Sequence, residues 1–327
     1  MIDPLLVVPC LLVAFANGAN DNAKGIAPLV GSGAASMSRA IRWGNVTTLL
    51  GATAAVYVAL HINQDLVRAF SGGGLLPVDV LVHGSTPAAI ALGAAATVLA
   101  ATRLGIPVST THALMGALVG VGLVEVGPGR IVWARLAAKF VAPLLLSPFL
   151  AAVASLIAYS VLRSARRRMR AAAPSENRAA ALRGALWVST GAASFARGMN
   201  DAPKIAGLLL SAASLSLVPS LLSVAGVMFC GGLLFTTRVA TTMARRVTRM
   251  DTEQALASSV VTATLVILAS RSGLPVSTTH VSVGALIGIG VSNKTADWTT
   301  IGGIVMAWVA TLPLAIALGA GAAVVLR

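Results

Sequence analysis

The chain has 327 residues, of which 57% are hydrophobic and only 10% charged, with a mean hydropathy of +0.87. A soluble domain carries about 25% charged residues, so a water-soluble globular protein is excluded and lipid must solvate much of the surface. The net charge of +14 does not indicate a nucleic-acid binder, because the basic residues stand in short runs between apolar segments and aromatic residues make up only 4%.

Ten apolar stretches are long enough, or nearly so, to cross a bilayer as helices, which takes about 20 residues each. They lie at 4–34, 43–60, 86–102, 105–125, 131–162, 184–213, 219–237, 256–270, 273–292 and 299–326. Pro143 and Pro148 make the fifth stretch either two helices or one kinked helix. The sequence predicts an all-α integral membrane protein with about 10–12 transmembrane segments, some of them broken by Gly and Pro.

One extended polar tract, at 163–183, divides the chain near its middle. It carries the densest basic run, at Arg163, Arg166, Arg167, Arg168 and Arg170. Basic loops of this kind stay in the cytoplasm. The tract is therefore predicted to be a cytoplasmic linker between a first transmembrane repeat, 1–162, and a second, 184–327.

The two parts resemble each other in sequence. FANGANDNAK at 15–24 and FARGMNDAPK at 195–204 share six of ten residues at an offset of 180. GIPVSTTH at 105–112 and GLPVSTTH at 273–280 share seven of eight at an offset of 168. Two motifs repeated in the same order indicate an internal duplication.

Loop charge predicts how the two repeats are oriented. Arg103 and Arg238 mark cytoplasmic loops, whereas Glu125 falls outside. Each repeat then has an odd number of crossings, so the repeats are inverted relative to each other and both chain ends lie outside. Inverted repeats are typical of secondary transporters, whose sites lie at the repeat interface near the middle of the membrane. We expect a multi-pass protein of the cytoplasmic (inner) membrane of a prokaryote.

Asp21 and Asp201 are the two carboxylates, of ten in the chain, that fall in the interior of predicted membrane segments, whereas Glu125 stands at the outer end of one. An ionised Asp at the bilayer centre costs about 2.5–3.5 kcal/mol on insertion scales, so each needs a partner or a water-filled cavity. One such Asp is explained as a helix cap, but two at duplicated positions favour a functional role. The oxygens of Asn20-Asp21 and Asn200-Asp201 suit a small hard cation, such as Na⁺.

A lysine follows each of these aspartates by three residues, which places ammonium and carboxylate on one helix face. Lys24 and Lys204 are two of only four lysines in the chain. They either neutralise the aspartates or lend positive charge to an anion site, and the two roles are compatible. Gly18 and Gly198 stand just before the Asn-Asp pairs and are predicted to loosen the helices, which frees main-chain carbonyls for ligands.

The two PVSTTH segments predict helix starts. Pro107 and Pro275 suit the first turn of a helix, where a missing N–H costs nothing. The hydroxyl groups and free amides of such a start form a site for phosphate or sulfate. Ordinary capping explains one hydroxyl but not three in succession, twice. We therefore predict anion binding by Ser109, Thr110, Thr111, Ser277, Thr278 and Thr279.

Three further residues have open roles. His112 and His280, which end the PVSTTH segments, are interpreted as structural residues that bond to nearby backbone, with a proton relay as the alternative. Arg197 stands where the first repeat has Asn17. It either faces the anion or anchors a cytoplasmic loop, and the sequence slightly favours the anchor.

The chain resembles the inorganic phosphate transporter (PiT) family of secondary carriers over essentially its whole length. The motifs that carry the resemblance are GANDNAKG, GMNDAPKI and the two copies of PVSTTH. The resemblance implies about twelve membrane segments with re-entrant hairpins, often in a homodimer. It also implies phosphate between the two Ser-Thr-Thr runs and cations near Asn20, Asp21, Asn200 and Asp201.

The chain departs from the sodium-coupled pattern of that family, GANDxANA, in which Asn stands where this chain has Lys24. A fixed ammonium in place of a bound Na⁺ puts sodium stoichiometry in question. Our hypothesis is that fewer sodium ions are bound, or that protons drive uptake instead.

Together these features predict a secondary active transporter that moves inorganic phosphate by alternating access, coupled to Na⁺ or H⁺. If sodium drives transport, Asp21 and Asp201 are its expected ligands, with no other cofactor. Sulfate or another tetrahedral oxyanion is the alternative substrate, and a passive anion channel or a membrane scaffold are alternatives from other classes. An enzyme is not predicted, because the chain lacks GxSxG, P-loop lysine and HExxH motifs.

Overall fold

Helices joined by short turns make up most of the structure, a computed structural model that describes residues 4–62, 64–71, 75–77, 80, 85–169, 175–213 and 215–327. The first half begins with α1 (Pro4–Gly31), α2 (Met37–His61), α3 (Asp65–Arg68), α4 (Thr86–Leu104) and α5 (Thr110–Glu125). It ends with a 3₁₀ turn (Pro128–Arg130), α6 (Trp133–Leu136), a π-helical turn (Ala137–Val141) and α7 (Ala142–Met169).

The second half has six helices in its described residues: α8 (Ser175–Ala213), α9 (Leu217–Phe235), α10 (Thr237–Arg245), α11 (Thr252–Arg271), α12 (Thr278–Asn293) and α13 (Trp298–Val325). A single isolated β-bridge in the described part joins Thr248 and Ala296. All ten apolar stretches predicted from the sequence therefore coincide with helices, and the chain is an all-α integral membrane protein.

Seven helical stretches of the described part are long and apolar enough to cross a membrane: Pro4–Gly31, Met37–His61, Thr86–Leu104, Trp133–Ala165, Leu217–Phe235, Thr252–Arg271 and Trp298–Val325. Helices α5 and α12 have 16 residues each, which gives a rise of about 24 Å, less than the hydrocarbon thickness. Mostly buried residues outside any helix lead into both. These are the broken segments that the sequence predicted.

The sequence left open whether the stretch at 131–162 forms two helices or one kinked helix. The structure shows one interrupted helix. Its α-helical parts are joined through the π-helical turn Ala137–Val141. Pro143 has no N–H to give to residue 139, and the wider turn just before it relieves the ring from contact with that carbonyl. Helices α7 and α8 also extend into the predicted linker 163–183, because its Ala, Arg and Leu favour helix. Residues 170–174, including Arg170, lie outside the described residues.

The two halves pack against each other reciprocally, since α1 contacts α9 and α8 contacts α2. A side chain at Gly18 would collide with the main chain of Met228, and one at Gly198 with the main chain of Thr48. Gly18 and Gly198 are 180 residues apart, and so are Thr48 and Met228, so the two contacts are equivalent in the two repeats. The prediction that Gly18 and Gly198 loosen their helices is wrong, because both helices run on without a break. The glycines instead allow two helices to approach closely.

The last helix of each half packs on the other half. Helix α13 lies on α5, where Gly120 meets the main chain of Ile316, and α7 lies on α12, where Gly288 meets that of Ala152. These equivalent contacts relate the halves by an approximate twofold axis. The exchange means that neither half is complete without the other.

Contacts between loops agree with the predicted sides of the membrane. Arg238 Nη1 donates to the main-chain oxygen of Arg103 at 2.8 Å, and both were assigned to the cytoplasm. Arg327 Nε lies 3.2 Å from Glu125 Oε1, and both were assigned to the outside. The outer faces of the helices are apolar, as lipid requires, for example at Leu145, Leu146, Phe149, Leu150 and Val153 of α7.

Candidate functional site

Five charged side chains are buried in the described part of the chain, and all five come from the two repeated motifs. On α1 they are Asp21 and Lys24, and on α8 they are Arg197, Asp201 and Lys204. Three cationic groups thus accompany two carboxylates, a formal surplus of one positive charge. Charges that are buried this deeply need partners or a ligand.

The carboxylate of Asp21 is held by its own repeat. Its Oδ1 forms an ion pair with Lys24, three residues later on the helix. Its Oδ2 accepts from Thr110 Oγ1 at 3.3 Å and from Asn17 Nδ2 at 3.1 Å. Thr110 is the first residue of α5, so the aspartate of α1 faces the start of that helix.

The second repeat has the same arrangement. Asp201 Oδ1 lies 3.0 Å from Lys204 Nζ, and Asp201 Oδ2 accepts from Thr278 Oγ1 at 3.4 Å. Asn17 Nδ2 also lies 3.3 Å from Asp201 Oδ2. Because Asn17 contacts both Asp21 and Asp201, it brings the two carboxylates together at the centre of the protein.

The two PVSTTH segments meet across the interface between the repeats. Thr111 Oγ1 donates to the main-chain oxygen of Val276 at 3.4 Å, and Thr279 Oγ1 donates to that of Val108 at 2.7 Å. Each threonine therefore reaches the extended segment of the opposite repeat. The starts of α5 and α12 converge, and the first-turn amides of a helix have no acceptor within the helix.

The serines of these segments are N-caps. Ser109 Oγ accepts from the amide of His112 and Ser277 Oγ from that of His280, both at 3.2 Å. The placement of Pro107 and Pro275 in the first helical turn is wrong. Both prolines lie two residues before the serine caps, outside the helices. The helices begin after the serines because the serine side chains cap the free amides.

Asn20 and Asn200 fix the extended segments to the helices that carry the aspartates. Asn20 Nδ2 donates to Thr102 Oγ1 and to the oxygen of Ile106, both at 3.0 Å, and Asn20 Oδ1 accepts from the amide of Val108 at 3.1 Å. Asn200 Nδ2 donates to Ser270 Oγ at 2.9 Å. The two asparagines differ in their remaining oxygen, because Asn200 Oδ1 faces the ammonium of Lys204.

The rings of the two histidines meet edge to face, with centroids 4.8 Å apart and an interplanar angle of 76°. His280 Nδ1 lies 3.0 Å from the main-chain oxygen of Leu144, and the His280 ring packs on Trp308 at 4.0 Å. For His280, this bond to backbone is the structural role that the sequence favoured. His112 Nδ1 and His280 Nε2 have no hydrogen-bond partner within the described residues.

Arg197 corrects a sequence interpretation. The side chain does not anchor a loop, because it is 2% exposed and lies at the centre. Its guanidinium donates to Asn17 Oδ1 at 3.1 Å and to Thr48 Oγ1 at 2.7 Å. Arg197 Nε has no partner among the described residues. The loop interpretation is wrong because the twofold relation places position 197 opposite Asn17 and not at a membrane surface.

Sequence reasoning missed Asn17 and did not recognise Arg197 as a central residue. One available signal was the mismatch between Asn and Arg inside an otherwise matching motif. The main-chain oxygens of Val108 and Val276 had no signal in the sequence, because any residue type supplies a carbonyl. No group of three or more His, Cys, Asp or Glu suited to a metal occurs in the described residues. A hard cation would instead use the oxygens around Asp21 and Asp201.

An all-α membrane fold, with two repeats that enclose a charged centre, defines the protein as a membrane transporter. The family model described as "Phosphate transporter family" matches residues 17–319. The chain belongs to this family, and it is not an enzyme.

Curated relatives cover nearly the whole chain. A protein of Mycobacterium bovis named a probable low-affinity inorganic phosphate transporter is 29% identical over 97% of this chain and 75% of its own length. One of Rhizobium meliloti with the same name is 29% identical over 95% of this chain and 92% of its own. A putative phosphate permease of Pyrococcus horikoshii is 24% identical over 96% of both chains.

One solved structure, described as the sodium-dependent phosphate transporter, has the same fold. It superposes with a TM-score of 0.82 over 98% of both chains, at 22% sequence identity. At this identity the likeness shows the fold alone.

Proposed function

We propose that the chain moves inorganic phosphate across the membrane by alternating access, coupled to Na⁺ or H⁺. The observation that carries the proposal is the meeting of two helix starts at a buried centre with a surplus of positive charge. Each helix N-terminus contributes the equivalent of about half a positive charge. Together with Lys24, Arg197 and Lys204, the centre suits a small oxyanion.

Phosphate would bind at the two Ser-Thr-Thr runs. Thr110 and Thr278 donate to the aspartates, and Thr111 and Thr279 donate to main-chain oxygens. An anion would take over these donors without leaving a charge unpaired. Ser109 and Ser277 accept in their caps, which leaves both hydroxyl protons free to be given to the anion.

Asp21 and Asp201, with Asn20 and Asn200, are proposed as the groups that respond to the driving cation. Both carboxylates lie next to the proposed anion site through Thr110 and Thr278. A proton or Na⁺ that reaches them would offset the charge of phosphate in the low-dielectric interior. Lys24 and Lys204 compensate charge in the same place.

The reciprocal packing of the repeats supports alternating access. Each half lends its last helix to the other, and the residues proposed for the site come from both halves. A rocking of one unit against the other would expose this boundary to one side of the membrane at a time. A solved protein with the same fold is described as a sodium-dependent phosphate transporter, which supports coupling to a cation here.

Sulfate is the second candidate substrate. Hydrogen phosphate has a proton to donate to Asp21 or Asp201, whereas sulfate at neutral pH has none. The carboxylates therefore favour phosphate. A passive channel lacks a reason for paired buried acids, and exchange stimulated by phosphate on the opposite side of the membrane separates a carrier from a channel.

The test is uptake of radiolabelled phosphate into proteoliposomes under separately imposed sodium and proton gradients. We expect concentrative uptake under at least one gradient and weak competition by sulfate. Uptake under neither gradient would reject the transport proposal, and equal competition by sulfate would reject phosphate selectivity. The homodimer implied by the family resemblance remains a prediction, which light scattering in detergent checks.

A further inference from the structure

The most complete cage of oxygen atoms at the centre surrounds Lys204. Its ammonium lies 2.8 Å from the main-chain oxygen of Val276, 2.9 Å from Thr111 Oγ1 and 3.0 Å from Asp201 Oδ1, and it also contacts Asn200 Oδ1. An ammonium has three protons, so four oxygens exceed the hydrogen bonds that it can donate. The arrangement is a coordination shell around a positive charge.

The oxygens belong to the types that hold hard monovalent cations in transporters. They are a carboxylate, an amide oxygen, a hydroxyl and a carbonyl of extended main chain, and unwound carbonyls are characteristic of coupling-ion sites. Thr111 comes from one repeat, whereas Val276 and Asp201 come from the other. A cation in this cage therefore joins the two moving units.

The equivalent lysine of the first repeat, Lys24, has fewer oxygen atoms around its ammonium. Lys24 contacts Asp21 and, at 2.8 Å, the main-chain oxygen of Val108. Asn20 Oδ1, the counterpart of the oxygen that faces Lys204, accepts from the amide of Val108 instead. Thr279, like its counterpart Thr111, donates to a carbonyl of the opposite repeat. Thr111 also accepts from Lys204, whereas the described contacts of Lys24 do not include Thr279. The repeats thus differ, and the second holds the complete cage.

We propose that the Lys204 ammonium is a tethered cation that occupies the cage where a mobile Na⁺ would otherwise bind, so that transport does not require sodium. The inference rests on the proposed phosphate transport and selects its proton-coupled form. The positive charge at the site stays with the protein through the cycle. Phosphate therefore finds its counter-charge in place in the absence of a sodium gradient.

Two wild-type measurements test the inference without any variant. Phosphate uptake at fixed pH, in the absence of a sodium gradient, should agree within about twofold between NaCl and choline chloride. Unfolding temperature in detergent should also be the same in the two salts, because a ligand that binds only the folded state raises it. Phosphate uptake that occurs but is lost in choline chloride would overturn the tethered cation and leave phosphate transport standing. No phosphate uptake in either salt under a proton gradient or a sodium gradient would reject the transport proposal itself.

A pair of variants tests the cage directly. Lys204→Ala removes the ammonium and opens its space, so uptake in choline chloride should fall about tenfold and NaCl should restore part of it. Lys204→Met removes the charge but fills the space, and NaCl should restore nothing. In the second readout, NaCl should raise the unfolding temperature of Lys204→Ala alone.

Lys139→Ala is the matched control, because this lysine is exposed and lies in the π-helical turn. It should behave as the wild type in both salts. Folded Lys204→Ala protein that shows no sodium response in uptake or in unfolding temperature would contradict the inference, as would equal sodium responses of Lys204→Ala and Lys204→Met.

Discussion

Arg197 donates from Nη1 to Asn17 Oδ1 at 3.1 Å, and these two residues occupy the same position in the two repeats. The bond therefore crosses the approximate twofold axis. Two asparagines at this point would leave the two aspartates without this cation. Two arginines would bring two positive charges into contact. Divergence between the copies has placed a single fixed positive charge beside Asp21 and Asp201, both of which Asn17 contacts.

Replacement of that charge should weaken phosphate binding. Arg197→Gln keeps a donor towards Asn17 but removes the guanidinium, whose Nε has no partner in the described structure. A hydrogen bond to a charged group is worth about 1.5–3 kcal/mol, so the KM of phosphate uptake should rise at least tenfold. Initial uptake rates over a range of phosphate concentrations measure it.

Arg238→Gln is the control for that experiment, because it removes an exposed arginine whose guanidinium bonds to the loop carbonyl of Arg103. Its KM should stay within about twofold of wild type. An Arg197→Gln protein with unchanged KM and only a lower unfolding temperature would assign Arg197 a structural role.

The two aspartates should be indispensable for concentrative uptake. Asp21→Asn and Asp201→Asn preserve shape but remove the carboxylate that pairs with Lys24 or Lys204. Breaking one partner of a buried pair costs about 3–5 kcal/mol, and phosphate accumulation in proteoliposomes should be lost in both variants. Circular dichroism and gel filtration establish that the proteins are folded.

Glu125→Gln serves as the matched loss of a carboxylate, because Glu125 pairs with Arg327 at the surface. Exposed pairs are worth about 0–1 kcal/mol, so its accumulation should equal that of wild type. Wild-type accumulation by both folded aspartate variants would remove the aspartates from the mechanism.

Close packing between the repeats gives a prediction about stability. A Cβ at Gly231 would collide with the main-chain oxygen of Phe15, whereas one at Gly226 on the same helix meets open space. Gly231→Ala should destabilise the protein by about 1–3 kcal/mol, and Gly226→Ala should not. The unfolding temperatures of the two variants in detergent provide the comparison, and equal values would argue against the close approach of α1 and α9.

The inverted topology predicts which loops face outward. In a background of Cys10→Ala and Cys230→Ala, Arg327→Cys should react with a membrane-impermeant maleimide in intact cells, and Arg246→Cys only after lysis. Both positions are exposed in the structure. Labelling of both before lysis, or of Arg246→Cys alone, would contradict the assigned sides.

The fold was accessible from the sequence because lipid imposes strong rules on composition. Every backbone group must be satisfied within the membrane, so long apolar stretches have to form helices. The matching motifs at offsets of 180 and 168 revealed the duplication without coordinates. The buried positions of Asp21 and Asp201 followed from the same rules, because so few carboxylates fall in apolar segments.

The ends of the helices were harder to predict from the sequence. The sequence placed Pro107 in the first turn, whereas the helix begins at Thr110 behind the cap of Ser109. Proline and serine both favour a helix start. Which of them forms it depends on whether the preceding residues are held in extended form, as Asn20 holds Ile106 and Val108 here.

The sequence alone determined that lipid surrounds this protein, that the chain is duplicated and which polar residues lie in its membrane segments. These features follow from local composition and spacing. Only the tertiary structure decided that Asn17 lies opposite Arg197, that Thr111 reaches the cage of Lys204 and that Gly18 serves close packing. Those contacts join residues about 90 to 210 positions apart. They depend on how the two units dock, and the docking is fixed by the fit of many side chains at once, which no single motif encodes.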